Sequence, residues 1–496
     1  MFVDNKILIG KNNEEELFII LNKANRHGLI TGASGSGKTI TLKVMAESFS
    51  SAGVPVFLAD VKGDLAGMSL PGTASEKITD RLKEIGITSF EYKGFPTVFW
   101  DVYGKGGHPI RTTVKNVGPT ILSRMLGLSE TQAGVLAIVF KIAEDKKLEL
   151  IDLKDLRLAL QYVGDNRKDF TISYGNITTQ SIGGIQRSLL MLEEQGADNF
   201  FGEPAIEIND FIRINDKGLG NINVLHAVEL FHQPNLYSSF LLWLLTYLNQ
   251  NMPEVGDLEK PKMVFFFDEA HLLFDDMPNY MLTQVTQVVK LIRSKGIGLY
   301  FISQTPMDIP GDILSQLGNR VQHTLRAYTP AEQKIVKSVA SSFRANTTFN
   351  TEEAIMSLGT GEALISFMNE KGEPNVVQKA TILPPQSQMG AIDDSMRLMV
   401  INQSPFKGKY DAVVDRETAY EKIKVEQEEK LKLEEQKKLE KEKIAEEKKK
   451  EKETSKAKTT KTKKSAAEKA FERTANSALS TIGRKLGNEI IKKLFK

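Results

Sequence analysis

A glycine-rich segment near the start of the chain has the residue types and spacing needed to hold a triphosphate. Residues 32–39 read Gly-Ala-Ser-Gly-Ser-Gly-Lys-Thr, which fits the phosphate-loop pattern GxxxxGK[ST]. Glycines allow successive backbone N–H groups to point inward at phosphate oxygens, and the helix that follows adds partial positive charge at its start. The alternative interpretation of this segment is a flexible Gly/Ser turn.

The last residues of this segment have the most specific predicted roles. We expect the Lys38 ammonium to reach the β- and γ-phosphates and the Thr39 hydroxyl to bind Mg²⁺. A short apolar strand before the loop and an amphipathic helix after it provide the context that the motif requires. The predicted nucleotide-binding residues are Gly32, Ala33, Ser34, Gly35, Ser36, Gly37, Lys38, Thr39 and Ile40.

A second acidic motif follows five consecutive apolar residues, 263–267, which predict a buried strand. Asp268 and Glu269 leave this strand at its carboxyl end, where ligands bind in open α/β sheets. We expect Asp268 to hold Mg²⁺ and Glu269 to orient and deprotonate a water molecule. An ordinary helix start is the alternative for such a pair. Together with the phosphate loop, the pair predicts hydrolysis of a nucleotide, with ATP and Mg²⁺ as cofactors. We find no guanine-reading motif and no phosphoacceptor motif.

Polar and basic residues near the next two strands could complete this site. Gln304 ends the apolar run 297–304 and is a candidate sensor of the γ-phosphate or the attacking water. Arg293, Arg320 and Arg326 are candidates for stabilising transition-state charge, in cis or in trans. Each arginine could equally be a surface or salt-bridging residue. Asp60 ends another strand, either as a site carboxylate or as part of a structural turn.

The elements that must position these residues follow an alternating pattern. Short apolar runs are separated by segments with helical spacing, which indicates a mainly parallel sheet with helices on both faces. The expected fold class is therefore α/β. The predicted strands are 29–31, 54–60, 97–102, 222–226, 263–268, 297–304 and 321–325.

The chain is too long for one core, and its patterning changes along its length. We expect a discontinuous core in 1–114 and 216–383, interrupted by an α-helical insertion at 115–215. Residues 384–415 are predicted to be a linker, and 416–464 a charged segment that is either helical or disordered. Residues 465–496 have the spacing of a basic amphipathic helix.

Composition excludes several classes of protein. The 496 residues contain no cysteine, so disulfides, thiolate metal sites and cysteine nucleophiles are absent. The longest apolar run, 240–248, is about half a membrane span and predicts a buried helix, so we expect a cytoplasmic protein without an integral membrane segment. Residues 416–496 carry 25 Lys and Arg against 16 Asp and Glu, a net charge of +9, whereas the preceding 415 residues have a net charge of −7. This contrast favours a polyanionic partner.

These motifs together resemble the HerA/FtsK branch of the P-loop ATPases. The similarity is highest to the bacterial HerA-like (YjgR-like) helicase-related proteins and covers residues 1–415. The matching strings are GASGSGKT at 32–39, FFFDEAH at 265–271, IRSKGIGLYFISQTP at 292–306, DILSQLGNRVQHTLR at 312–326 and LGTGEALISF at 358–367.

The resemblance implies a RecA-like core assembled as a hexameric homo-oligomer around a central channel. It implies nucleotide bound between subunits, with an arginine of the neighbour, Arg326 being the first candidate, completing the site. It also implies ATP-driven movement of double-stranded DNA. A second hypothesis, from another class, is a nucleotide-controlled assembly or scaffold ATPase that acts on a protein partner. A small-molecule or protein-export ATPase is a third.

Overall fold

The fold is organised around one large β-sheet. The computed structural model describes residues 1–12, 15–275, 277 and 279–456, and the chain divides into two units, Met1–Ile423 and Lys424–Lys496. The sheet lies in the first unit. Its strands are β1 (Phe2–Val3), β2 (Lys6–Lys11), β3 (Glu16–Ile20), β4 (Gly28–Thr31), β5 (Val56–Asp60), β6 (Thr97–Asp101), β7 (His108–Pro109), β8 (Ile222–His226), β9 (Met263–Phe267), β10 (Ile297–Ser303), β11 (Asn319–Gln322), β12 (Glu362–Ser366) and β13 (Gln378–Ile382).

The sheet combines a parallel region with an antiparallel extension. Across it the order is β1-β2-β13-β12-β11-β4-β10-β9-β5-β8-β6-β7, with β3 paired to β2. All pairings from β11 to β7 are parallel, and all those from β12 to β1 are antiparallel. The seven strands expected from the sequence all lie in the parallel region. The predicted mainly parallel α/β sheet is therefore confirmed.

Side chains of the central strands alternate between two hydrophobic cores. In β9, Met263, Phe265 and Phe267 belong to one core, whereas Val264 and Phe266 belong to the other. All five are buried, because helices cover both faces of the sheet. A parallel strand covered on both faces needs apolar residues at every position, which is why the run is continuous.

The helices are grouped on the two faces and in one long interval without sheet strands. In chain order they are α1 (Lys38–Ser51), α2 (Glu76–Glu84), α3 (Val114–Met125), α4 (Glu130–Asp145), α5 (Leu153–Asp165), α6 (Arg167–Tyr174), α7 (Thr179–Glu194), α8 (Ile208–Phe211), α9 (Pro234–Asn251), α10 (His271–Phe274), α11 (Asn279–Leu291), α12 (Gly311–Leu314), α13 (Pro330–Ser341), α14 (Thr351–Ser357), α15 (Asp394–Gln403) and α16 (Ala419–Lys456). Helix α9 contains the apolar run 240–248, as predicted. Among the described residues, no helix is both long and apolar enough to cross a membrane.

Helices α3 to α8 occupy the interval between β7 and β8, where the sequence predicts the helical insertion. Helix α4 begins at a capping box in which Ser129 and Gln132 bond each other's backbone N–H groups. Asp152 and Asp155 form the same motif at the start of α5. The limits of the insertion as a domain, 115–215, stay a prediction.

The residues between β13 and α16 belong to the first unit and contribute to its packing. The carboxylate of the buried Glu47 in α1 accepts hydrogen bonds from the backbone N–H groups of Gln386 and Ser387. Phe406 and Tyr410 are also fully buried, so the segment predicted as a linker contains helix α15 and core residues. Helix α16 lies entirely within the charged segment 416–464. The predicted amphipathic helix at 465–496 lies outside the described residues.

Candidate active site

The strand order brings the three predicted catalytic segments to one edge of the sheet. Strand β10 lies between β4 and β9, and all three are parallel. Ser303 pairs with Thr31, so the segments that follow, beginning at Gln304 and Gly32, leave the sheet side by side. The Gly32 N–H donates to the Gln304 carbonyl at 3.1 Å. Asp268 follows β9 at the same edge.

The phosphate loop has a positive φ at Gly32, Gly35 and Gly37, which glycine adopts more easily than any other residue. Gly37 has a φ of 118° and Gly32 a φ of 152°, values that side chains disfavour. A Cβ on Gly32 would also lie 2.5 Å from the Cβ of His323. Helix α1 starts after Gly37 without a side-chain cap. Its first backbone N–H groups are therefore available to an anion.

The side chains of the loop match the needs of a triphosphate. The Lys38 ammonium donates to the carbonyls of Gly32 at 2.5 Å and Ala33 at 3.1 Å. Burial lowers the pKa of Lys38, and the nearby carboxylates oppose this shift. The Ser36 hydroxyl is buried and has no hydrogen-bond partner within the described part of the chain. These donors fit a phosphate group, which would replace the loop's own carbonyls and pair the orphaned hydroxyl.

Asp268 has the properties of a magnesium ligand. Burial, followed by the neighbouring charge of Glu269, raises the pKa of Asp268 to about 7. Its Oδ1 accepts one hydrogen bond, from the Glu269 N–H at 3.0 Å. A divalent cation would relieve the cost of a buried carboxylate, and Mg²⁺ prefers oxygen ligands such as this carboxylate and the Thr39 hydroxyl. The residues present therefore fit Mg²⁺.

Glu269 is held in an unusual conformation beside two other titratable groups. Its φ is +48°, a left-handed value that is uncommon for residues other than glycine and that often marks functional sites. Glu269 Oε1 lies 3.5 Å from Lys62 Nζ, and Oε2 lies 3.6 Å from His271 Nδ1. Each carboxylate oxygen of Glu269 therefore lies near an ionisable side chain outside the phosphate loop.

The three candidate arginines lie on two different edges of the sheet. Thr324, two residues before Arg326, accepts a hydrogen bond from the Ala33 N–H at 2.9 Å, so Arg326 follows a segment bound to the phosphate loop, and its side chain is exposed. Arg320 pairs with Leu29, before the loop. Arg320 therefore lies at the amino edge of the sheet, where the parallel strands begin. Arg293 precedes β10 and lies at the same edge.

The amino edge contains a basic cavity of about 690 Å³. Burial, then the charge of Arg293, lowers the pKa of Arg26, and the charge of Asp257 opposes this shift. The guanidinium of Arg320 donates to the carbonyls of Leu317 at 3.0 Å and Leu314 at 3.2 Å. Charged residues lining the cavity are Arg26, Lys290, Arg293, Arg320, Arg344 and Glu373.

Asp60 belongs to a structural turn. Its Oδ1 accepts from the Gly63 N–H at 2.7 Å and its Oδ2 from the Leu65 N–H at 3.2 Å. Burial, then the charge of Asp64, raises the pKa of Asp60 to about 6. Since both carboxylate oxygens of Asp60 accept hydrogen bonds within the turn, its role here is structural, which was the second of the two interpretations of this residue.

A loop before β12 contacts the phosphate loop, and sequence reasoning assigned it no role. The Gly361 N–H donates to the Ser36 carbonyl at 3.0 Å, and the Arg81 guanidinium donates to the carbonyls of Gly361 and Thr360 at 3.1 and 3.0 Å. The only available signal was the string LGTGEALISF, because Arg81 lies in a different part of the sequence.

The His323 ring contacts both the helix after the phosphate loop and the start of β12. Its Nε2 lies 2.8 Å from the Thr41 hydroxyl in α1, and its Nδ1 lies 2.9 Å from the Glu362 carbonyl. Burial lowers the pKa of His323 to about 4, so the ring is neutral and each nitrogen serves one partner. His323 therefore links the phosphate-loop helix to the start of β12.

The phosphate loop follows β4, the acidic pair follows β9, and β10 lies between these two strands. This is the arrangement of a P-loop ATPase with a RecA-like core. The predicted fold and enzyme class are thus confirmed. The chain belongs to the family described as Helicase HerA-like C-terminal, which it matches over residues 5–496, and it is a P-loop ATPase of helicase or translocase type.

Three known proteins illustrate the similarity. The chain is 22% identical over 386 residues to the DNA double-strand break repair helicase HerA of Sulfolobus acidocaldarius, covering 76% of this chain and 67% of that protein. The plasmid coupling protein TrwB in complex with ADP and Mg²⁺ has 13% identity and a TM-score of 0.49, covering 75% of this chain and 89% of TrwB. VirB4 of Thermoanaerobacter pseudethanolicus has 14% identity and a TM-score of 0.48, covering 80% and 100%.

Proposed function

We propose that this chain hydrolyses ATP with Mg²⁺ and uses the energy to move along double-stranded DNA. One observation carries the catalytic part: the phosphate loop and the Asp268–Glu269 pair lie at one edge of the sheet, and Gln304 directly follows the strand between them. Membership of the HerA-like family and the name of the HerA relative support DNA as the track. A cytoplasmic location belongs to the same proposal.

Each residue of the site has a distinct proposed role. Lys38 and the backbone N–H groups of the loop bind the phosphates, while Thr39 and Asp268 would hold Mg²⁺. When bound, Mg²⁺ neutralises charge on the phosphate oxygens. Glu269 accepts the proton of the attacking water, and the Gln304 amide orients that water or contacts the γ-phosphate.

The position of the arginines supports a site completed by a second subunit. Arg293 and Arg320 are at the amino edge, whereas the phosphate loop of the same chain leaves the carboxyl edge. The basic cavity that they share with Arg26 would suit the phosphates of a neighbour. We therefore propose a ring of identical subunits, six by analogy with the family, in which these arginines act in trans and Arg326 acts in cis.

The deciding experiment measures ATP hydrolysis with and without duplex DNA on protein whose subunit number is determined by light scattering. We expect duplex DNA to stimulate hydrolysis and the stimulation to decline steeply as salt rises, because counterions are released on binding. Hydrolysis that no DNA changes would contradict the DNA proposal. If assembly then depended on ATP alone, the scaffold hypothesis would replace it.

A further inference from the structure

The turn after β5 brings a lysine to the catalytic edge of the sheet. Lys62 Nζ lies 3.5 Å from Glu269 Oε1, and 61% of the Lys62 side chain is exposed against 17% for Glu269. Strand β5 pairs in parallel with β9, so the turn after β5 leaves the sheet at the same edge as Asp268 and the phosphate loop. Lys62 is therefore close to the phosphate loop and the acidic pair, yet open to a ligand.

The turn that carries Lys62 is stabilised by hydrogen bonds to the Asp60 side chain. The fully buried Asp60 binds the backbone N–H groups on the far side of Lys62, at Gly63 and Leu65. Gly63 has a φ of +79°, which this tight turn requires. A turn fixed in this way limits where the lysine stem begins, and the flexible stem lets the ammonium move by a few ångströms.

We propose that Lys62 is a further phosphate-binding cation in cis, which contacts the γ-phosphate of the bound nucleotide. This inference rests on the proposed function. A γ-phosphate carries more negative charge than the single carboxylate of Glu269, so it attracts the ammonium away from that carboxylate. The same movement leaves Glu269 free to accept a proton from water. Lys62 thus supplies positive charge at the edge where Arg293 and Arg320 of the same chain are missing.

The simplest competing explanation is that Lys62 only holds Glu269 in place. A double substitution separates the two roles, because Glu269→Gln removes the partner carboxylate and also prevents hydrolysis from obscuring binding. We would measure the affinities for ATP and ADP in the Glu269→Gln protein, with and without Lys62→Ala. Loss of a charged contact to the γ-phosphate should weaken ATP binding about tenfold or more, with ADP binding unchanged.

The chain offers a matched control. Lys105 lies on the turn after β6, where the Asp101 carboxylate binds backbone N–H groups just as Asp60 does, and its ammonium pairs with Glu229 at 2.7 Å with 66% of the side chain exposed. Lys105→Ala should leave both affinities unchanged, and Lys62→Arg should retain most of the ATP affinity.

Equal ATP affinity with and without Lys62→Ala, or equal losses for ATP and ADP, would overturn the inference while leaving the proposed function intact. Failure of the Glu269→Gln protein itself to bind ATP would overturn both. Melting temperatures of all variants, expected to match within a few degrees because both lysines are exposed, show whether a loss reflects unfolding.

Discussion

At the scale of single residues, the catalytic edge separates binding from chemistry. Lys38 donates to backbone carbonyls of its own loop, contacts that a phosphate would replace. Glu269 instead contacts groups from outside the loop, Lys62 and His271. Substitutions at these two residues should therefore have different effects on affinity and rate.

Lys38→Ala should weaken ATP binding about tenfold or more, because it removes a charge-assisted contact to the phosphates. Equilibrium binding of a fluorescent ATP analogue would measure the loss. The exposed Lys83, which pairs with Asp80 on α2, provides a control whose substitution by alanine should have no effect. Unchanged affinity of the Lys38→Ala protein would contradict the role of the loop.

Glu269→Gln should retain ATP binding and slow hydrolysis about 100-fold or more, the usual cost of losing a general base. Steady-state phosphate release and binding of ATP would be measured on the same preparation. Glu229→Gln changes an exposed carboxylate that pairs with a lysine in the same manner and should hydrolyse ATP normally. A fully active Glu269→Gln protein would remove Glu269 from catalysis.

The elevated pKa of Asp268 predicts a dependence of stability on pH in the absence of Mg²⁺. The unfolded carboxyl ionises near pH 3.8, whereas the folded one keeps its proton to about pH 7. The folded state therefore binds the extra proton within this window, and stability falls as pH rises through it. Melting temperatures in a chelating buffer should decline less from pH 5 to 7 for Asp268→Asn than for the natural sequence. Equal declines would show that Asp268 ionises normally.

At the scale of elements, the phosphate loop is supported by β12 as well as by β4 and α1. The loop that precedes β12 bonds to Ser36 through Gly361, and a Cβ on Gly37 would lie 3.3 Å from Gly361. This close approach needs glycine on both sides. The antiparallel extension of the sheet thus contributes to the shape of the nucleotide site.

Gly361→Ala should weaken nucleotide binding and lower the melting temperature. Gly361 has a φ of +79°, and its added Cβ would lie 2.2 Å from Arg81 Nη1, so both backbone and neighbour must shift, at a cost of about 1–3 kcal/mol. Gly359→Ala is the control, since its Cβ would meet only the end of the Glu362 side chain at 3.3 Å. Thermal melting and ATP titration of both variants would check this, and equal behaviour would contradict the role of Gly361.

Motifs within one element were readable from the sequence, whereas contacts between elements were not. Continuous apolar runs predicted β5, β8, β9 and β10, because a strand buried on both faces leaves a local signature. The antiparallel strands β12 and β13 were missed, as was the Lys62 contact with Glu269. Such contacts depend on strand order and register, which join residues more than 200 positions apart, and no local spacing encodes them. The left-handed backbone of Glu269 was likewise invisible in its residue type.

At the scale of the whole molecule, the two edges of the sheet carry different halves of the proposed site. Mixing Lys38→Ala protein with Arg320→Ala protein should restore hydrolysis, because some sites then combine an intact loop with an intact arginine from the neighbour. Phosphate release would be followed as the ratio varies, and a parallel experiment would use Arg293→Ala. Lys38→Ala mixed with Glu269→Gln is the control that should stay inactive. No recovery in either arginine mixture would contradict action in trans.

The separation of the phosphate loop from the basic cavity also has a consequence for assembly. A subunit that presents its arginines at one side and its phosphate loop at the other associates head to tail with further copies. Such an assembly leaves an unpaired interface at each end unless it closes into a ring. An open assembly therefore has one complete catalytic site fewer than its number of subunits, and a single subunit has no complete site. Specific activity should therefore collapse on dilution, well before the individual chains unfold.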